Sequence, residues 1–219
     1  MSSTTSYRLS GVALLIGGIL TAIGYSLPPY LSDNDPSALT SPWALISSLI
    51  TLFGSLLVLL GLPGIYTRQA GRAGILGLLG FLSVWYVILL SGVIQSFISV
   101  TIVQELATNP ATRLLAATPP PAFRPFFLVA LLAQTLGILV LAIATLRAAV
   151  FPRWSAWMLI ASLVVVLIGF LPFYPPFLQN LAPVIGNLAL AGFGYALLSP
   201  QRRESTQDVP AGAGAEARA

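Results

Sequence analysis

Cysteine, histidine and lysine are all missing from this chain of 219 residues. Without cysteine there is no disulfide, no thiolate nucleophile and no sulfur ligand for a metal. Without histidine the commonest acid–base group is gone, and without lysine there is no amine for Schiff-base chemistry. These absences lead us to expect no cofactor, no metal and no enzyme. Charge is scarce as well, at 7% of residues, where an ordinary soluble domain carries about 25%.

What is abundant is apolar surface. A hydrophobic share of 57% exceeds what one globular core hides, so the composition describes a multi-pass membrane protein whose main partner is the lipid bilayer. The net charge of +4 comes from arginines scattered among short loops, and with no continuous basic patch no nucleic-acid partner is expected. That every basic residue is arginine is the coding bias of a GC-rich genome, which makes the bacterial inner membrane the expected location. Composition leaves a membrane-protein partner or a homo-oligomer open.

Apolar runs bounded by proline and arginine predict an all-α, six-helix transmembrane bundle. Residues 1–8 form a short tail, and the domain over 9–199 holds spans at about 9–27, 43–62, 74–103, 126–146, 153–171 and 183–199. Residues 200–219 mix both charge signs with Ala, Gly and Pro and are expected to be disordered. Ser41-Pro42-Trp43 reads as an N-cap, a first-turn proline and an interfacial aromatic. Asn109-Pro110 opens a short surface helix to Ala117. The third span runs from Gly74 to Val103 without charge or proline; as one helix it is about 45 Å long, more than the about 30 Å of bilayer hydrocarbon. It is expected to cross, to project beyond the membrane and to organise the bundle. All seventeen prolines fall in expected loops, tails or first turns, so none is expected to interrupt a span.

Arginine counts set the orientation. Arg8, Arg68, Arg72, Arg147, Arg153, Arg202, Arg203 and Arg218 fall on one side, and only Arg113 and Arg124 on the other, which places both termini in the cytoplasm. Gly71, Gly74, Gly77 and Gly80 recur every three residues and predict a strip for close helix packing. Arg68 and Arg72 beside that strip are candidates for an anion contact. Arg8-Leu-Ser10, Arg72-Ala-Gly74 and Arg153-Trp-Ser155 open spans one, three and five alike, and aligning spans one and five brings Leu14 onto Leu159, a pattern that related helical hairpins would leave.

Polar residues within the spans are few, and amides are costly to bury alone. Gln95, Gln134 and Asn187 stand on three different spans, all in the half of the membrane away from the arginine-rich side, with Asn187 about 6 Å and Gln134 about 13 Å along their helices from the outer end. They form a candidate polar cluster or solute site, with Ser91 and Ser99 beside them. Two readings are open: an interhelical clamp, or the neutral polar end of an outward-facing pocket. No acid or arginine lies deep in an expected span, against an ion pump with a buried carboxylate relay.

The segment Arg147-Ala-Ala-Val-Phe-Pro-Arg-Trp-Ser-Ala-Trp-Met-Leu-Ile160 resembles one that recurs in uncharacterised bacterial multi-pass membrane protein families of unknown function, where an arginine-bearing turn with a Leu-Pro-Arg-Trp-like motif precedes an apolar helix. Tyr66-Thr-Arg-Gln-Ala-Gly-Arg-Ala-Gly-Ile-Leu-Gly77 is similar to such families too. The resemblance implies a bacterial inner-membrane protein and no particular activity. The functional expectation is a structural or accessory membrane protein without catalytic chemistry. A carrier or channel for a small neutral or apolar solute is the alternative. A lipid-modifying enzyme, with Glu105 its lone acid beside a span, is the least expected.

Overall fold

The computed structural model describes residues 3–27, 38–109, 111–112, 121–169 and 181–199, and among them there is helix but no strand. Five helical stretches make up the fold. They are α1 (Ser3–Tyr25), α2 (Pro42–Thr108), α3 (Arg124–Ala148), α4 (Arg153–Ile168) and α5 (Leu181–Leu198). By length and composition four stretches could cross a membrane, Thr5–Tyr25, Pro42–Thr108, Leu128–Ala148 and Leu181–Leu198, while Arg153–Ile168 is apolar but shorter. This measure therefore gives four spans and a shorter fifth helix where six were expected. Large apolar side chains stand exposed on every helix, among them Leu60, Ile75, Leu132 and Leu167, a surface compatible with contact to lipid.

The difference in count arises within α2, which joins what the sequence divided into spans two and three. Pro63 was expected to end span two, yet the helix runs through it to residue 73. The proline lies on the exposed face, so the loss is confined to one N–H. Its neighbours Gly61 and Gly64 press against Ser10 and Leu14 of α1, and that packing carries the helix across. The expected loop 64–73 is thus helical, and the expectation that every proline lies in a loop, a tail or a first turn fails at this position, although Pro63 interrupts no helix.

The interruption comes instead at Gly74, whose φ of 56° and ψ of −147° lie outside helical space, in a region that L side chains rarely enter. The chain reverses there. Tyr66 stacks on Phe81 with ring centroids 5.3 Å apart, Gly92 abuts Ser55, and Gln104 Nε2 donates to the Leu39 carbonyl at 2.8 Å. Each of these contacts pairs a residue before Gly74 with one about as far beyond it. So α2 is an antiparallel pair of arms, 42–73 and 75–108. Ser41 caps the first, accepting from the Ala44 N–H at 3.2 Å, with Pro42 in the first turn.

The elements form a ring in chain order. α1 packs on the first arm of α2, the second arm packs on α3, α3 on α4, α4 on α5, and α5 closes on α1. Glycine makes the closest of these contacts, but not the strip that was expected. A Cβ on Gly71 or Gly74 would meet nothing within 4 Å, one on Gly77 would meet only Ala73 and Gln69 of its own stretch, and only Gly80 touches another helix, at the backbone of Leu141. The close-packed strip is on α1: Gly17 and Gly24 face the first arm of α2, and Gly11 and Gly18 face α5. There van der Waals contact between backbones replaces the hydrophobic drive that lipid removes.

Nor is the charge-free stretch the packed centre. Trp85 and Tyr86, midway along it, are 37% and 41% exposed, whereas Phe193 of α5 is 0% exposed. Phe193 meets Phe151 edge-on at 5.2 Å, amid Leu14, Leu62, Ile65 and Leu141. Small residues let α5 come close to three neighbours at once, while the bulky side chains of 75–90 turn outward. Leu14 and Leu159, the pair aligned between spans one and five, both lie in this core. The helix beginnings at Arg124 and Arg153 fall close to the expected ones. Of the surface helix expected from Asn109-Pro110 to Ala117, residues 111–112 form a turn in which Asn109 Oδ1 accepts from the Ala111 N–H at 3.0 Å; its part from 113 on, the tail at 200–219 and the extension of span five to 171 lie outside the described residues.

Candidate functional site

The ring is closed at one end and hollow towards the other. Arg8, Arg68, Arg72, Arg147 and Arg153 gather at the end where α1 begins and α5 stops, and the aromatic core lies in that half. In the opposite half every element contributes to a cavity of about 80 Å³. Its lining includes Tyr25 near the end of α1, Pro183 near the start of α5 and Val166 near the end of α4, and among the described residues no charged one.

Hydrogen bonds already made determine what the polar wall can still offer. Thr21 donates its hydroxyl to Gly17 O at 2.8 Å, and Ser162 donates to Leu159 O at 2.7 Å. Both protons are therefore committed, and the oxygens keep acceptor capacity. Asn187 donates Nδ2 to Pro183 O at 2.8 Å. Because a carbonyl only accepts, this bond fixes the amide's orientation and leaves Oδ1 as the free end. That Oδ1 is buried without a partner, and so is Ser55 Oγ; their residues are 5% and 0% exposed. Most hydroxyls of the first arm bond back to their own helix, as Ser47 and Thr51 do, and Ser55 does not. An orphaned buried polar group costs about 1–3 kcal/mol, and two of them, Ser55 Oγ and Asn187 Oδ1, belong to residues of this one wall.

Of the candidates read from the sequence, Ser91, Gln134 and Asn187 line this cavity, and Gln95 and Ser99 do not. The cause is a change of winding in the second arm, which is π-helical over Ile88–Ile94 and Ser99–Val103. Buried positions step by three or four residues through Gly77, Gly80, Val84 and Val87, then by five to Gly92 and by four to Ser96. The i→i+5 turn, seen in the Gln95 N–H bond to Leu90 O, rotates Gly92 and Ser96 inward. Gln95 is exposed, and Ser99 donates to its backbone carbonyl at 2.9 Å. Ser91 reaches the rim, where Tyr25 donates to its carbonyl over a long 3.5 Å. No hydrogen bond joins the three amides to one another, so they make no direct clamp. Such π segments occur often at functional sites. Ser55, Thr21 and Ser162 are cavity residues that the reading centred on the amides passed over; the one signal was that Ser55 continues the small-residue face of Ser47, Ser48 and Thr51.

The candidate anion pair is not a pair. Arg72 is exposed, whereas Arg68 turns inward, donates from Nη1 to Ala196 O and lies over the Phe151 ring at 5.3 Å from its centre. Beside it Gln69 is 0% exposed and accepts from Thr145 Oγ1 at 3.2 Å. These bonds tie the first arm of α2 to α3 and α5 and close the arginine end. Glu105 sits in a shallow surface depression with Thr108, Asn109 and Thr112, and it is the one acid among the described residues. Comparisons with protein-family models, with curated proteins and with solved structures find no match.

Proposed function

We propose that this chain is a six-span membrane protein that carries or conducts a small neutral solute. In this reading the two arms of α2 cross separately, and together with α1, α3, α4 and α5 they make six crossings. The arginine-rich end with both termini faces the cytoplasm, of a bacterial inner membrane. Expected spans two and three then survive as the two arms, with their boundary moved from a loop to Gly74.

A structural or accessory role and a carrier role fit the composition equally. The observation that favours the second is the uncharged cavity with Ser55 Oγ and Asn187 Oδ1 unpartnered on its wall, since a purely structural bundle gains nothing from an unsatisfied hollow. Catalysis has little to work with, as the described residues give Glu105 no second acid in its depression, and the Thr108 and Thr112 hydroxyls there donate to backbone carbonyls. The test is solute flux. Liposomes containing the protein, shrunk in hyperosmotic acetamide, urea or glycerol, should re-swell faster than protein-free liposomes, with no gain for potassium chloride. Identical re-swelling with and without protein would return the reading to a structural subunit.

A further inference from the structure

The free groups on the cavity wall describe what would fill it. Resting on the solute-site reading above, we infer that the occupant is an uncharged molecule of the carboxamide or urea type.

Charge is disfavoured first. Among the described residues no lining side chain is ionisable near neutrality, the nearest approach being the Tyr25 phenol at the rim, and an ion stripped of water without a counter-charge would not stay. A wholly apolar occupant fails for the opposite reason, since it would seal Ser55 Oγ and Asn187 Oδ1 away from any partner. The remaining class must present both a donor and an acceptor. On the side formed by α1, α4 and α5 the wall offers acceptors whose own protons are absent or committed: Thr21 Oγ1, Ser162 Oγ and Asn187 Oδ1. Across from them on α2, the Ser55 hydroxyl has a proton and no acceptor. An NH2 group carries two donors and its adjacent carbonyl accepts, so one planar amide fits the surplus of acceptors and the single free donor together. Gln134, also on the wall, adds an amide of the same kind. Gly92 admits the Ser55 side chain between the two arms of α2, because a Cβ there would lie 2.7 Å from Ser55 Cβ.

Four small probes of one shape separate the alternatives: acetamide, acetate, acetamidinium and isobutene. Binding to the full chain in detergent is read by saturation-transfer NMR on each probe. Acetamide should bind, the two ions should not, and isobutene should bind at least tenfold more weakly. Ser55→Ala and Asn187→Ala should each weaken acetamide about tenfold, the loss of one buried hydrogen bond, with helical circular dichroism unchanged. Binding of acetate, acetamidinium or isobutene at least as tight as that of acetamide would overturn the amide assignment and leave the solute site standing. Binding of none of the four by folded protein would overturn the assignment and the site together, as a cavity that holds only water. Acetamide binding untouched by both substitutions would place it elsewhere and overturn the inference. The probe series uses the unaltered chain, so the class is tested even if a variant fails to fold.

Discussion

Replacing Gly17 by alanine should destabilise the bundle, and the amount can be worked from the contact between α1 and the first arm of α2. A Cβ at position 17 would lie 2.7 Å from both the carbonyl oxygen of Gly54 and the amide nitrogen of Val58. Ordinary contact begins near 3.4 Å, so the shortfall is about 0.7 Å, and both atoms are backbone that no rotamer change can withdraw. The helices must part along their whole seam, where Gly61 on Leu14 and Gly24 on Thr51 are equally close. Overpacking of this kind costs about 1–3 kcal/mol, and a gap of 0.5–1 Å elsewhere along the seam forfeits about a quarter to a half of each contact's attraction. Alanine returns up to about 1 kcal/mol through helix propensity. Gly71→Ala is the control, because its Cβ would meet nothing within 4 Å. The difference between the two variants cancels propensity and should be about 1–3 kcal/mol, read by far-ultraviolet circular dichroism as a denaturing detergent is titrated in. Gly54→Ala acts on the same seam, with its Cβ 2.8 Å from Thr21 N, so the double variant should lose less than the sum of the singles. Equal stability of Gly17→Ala and Gly71→Ala, or strict additivity, would refute close backbone packing here.

Topology is testable because the chain has no cysteine of its own. Thr108→Cys and Gly71→Cys both place a thiol at exposed positions; in intact cells an impermeant reagent should label only residue 108, and residue 71 only after permeabilisation, while the converse would invert the orientation. Thr145→Val removes the one bond Gln69 makes and should cost about 1–3 kcal/mol, whereas adding Gln69→Leu should restore most of it, since replacing both partners by apolar groups is nearly neutral; a double variant as weak as the single would show that the pair matters for its shape alone. Arg68→Lys keeps the charge but loses the flat stack on Phe151 and the directed bond to Ala196, so a loss of about 1–2 kcal/mol in the same titration is expected; wild-type stability would make charge the whole of its contribution.

The parts legible in the sequence were those decided by composition and by chain ends. Apolar runs locate helix in bulk because lipid leaves backbone groups no other partner, and Ser41-Pro42 caps α2 where its side chains said it would. Pro63 and Gly74 misled for different reasons. A proline's cost is local and can be outweighed by packing against α1, which single-chain propensity does not contain. Gly74 read as one of a packing strip, but its absent side chain serves a positive φ at a reversal. The true strip, Gly11, Gly17, Gly18 and Gly24 on α1, has spacings that make sense only once two different neighbours are assigned to alternate glycines.

The site was half legible, and the missing half follows from one turn of helix. Under α-helical spacing Ser91 and Gln95 share a face, and three amides on three helices should converge. Seven residues of π-helix rotate that face, exchanging Gln95 for Ser96 and bringing Gly92 opposite Ser55. That exchange decides the character of the cavity. Had Gln95 pointed inward, its amide could have reached the free ends of Asn187 and Ser55, and the hollow would have closed as a clamp. With glycine against Ser55 instead, Ser55 Oγ and Asn187 Oδ1 are left without partners in the protein, on the side of the ring away from the Arg68, Gln69 and Phe193 closure. The π turn is thus what separates a structural bundle from one with room for a solute, and restoring α-helical register by deleting one residue between Ile88 and Ile94 should exchange solute binding for added stability.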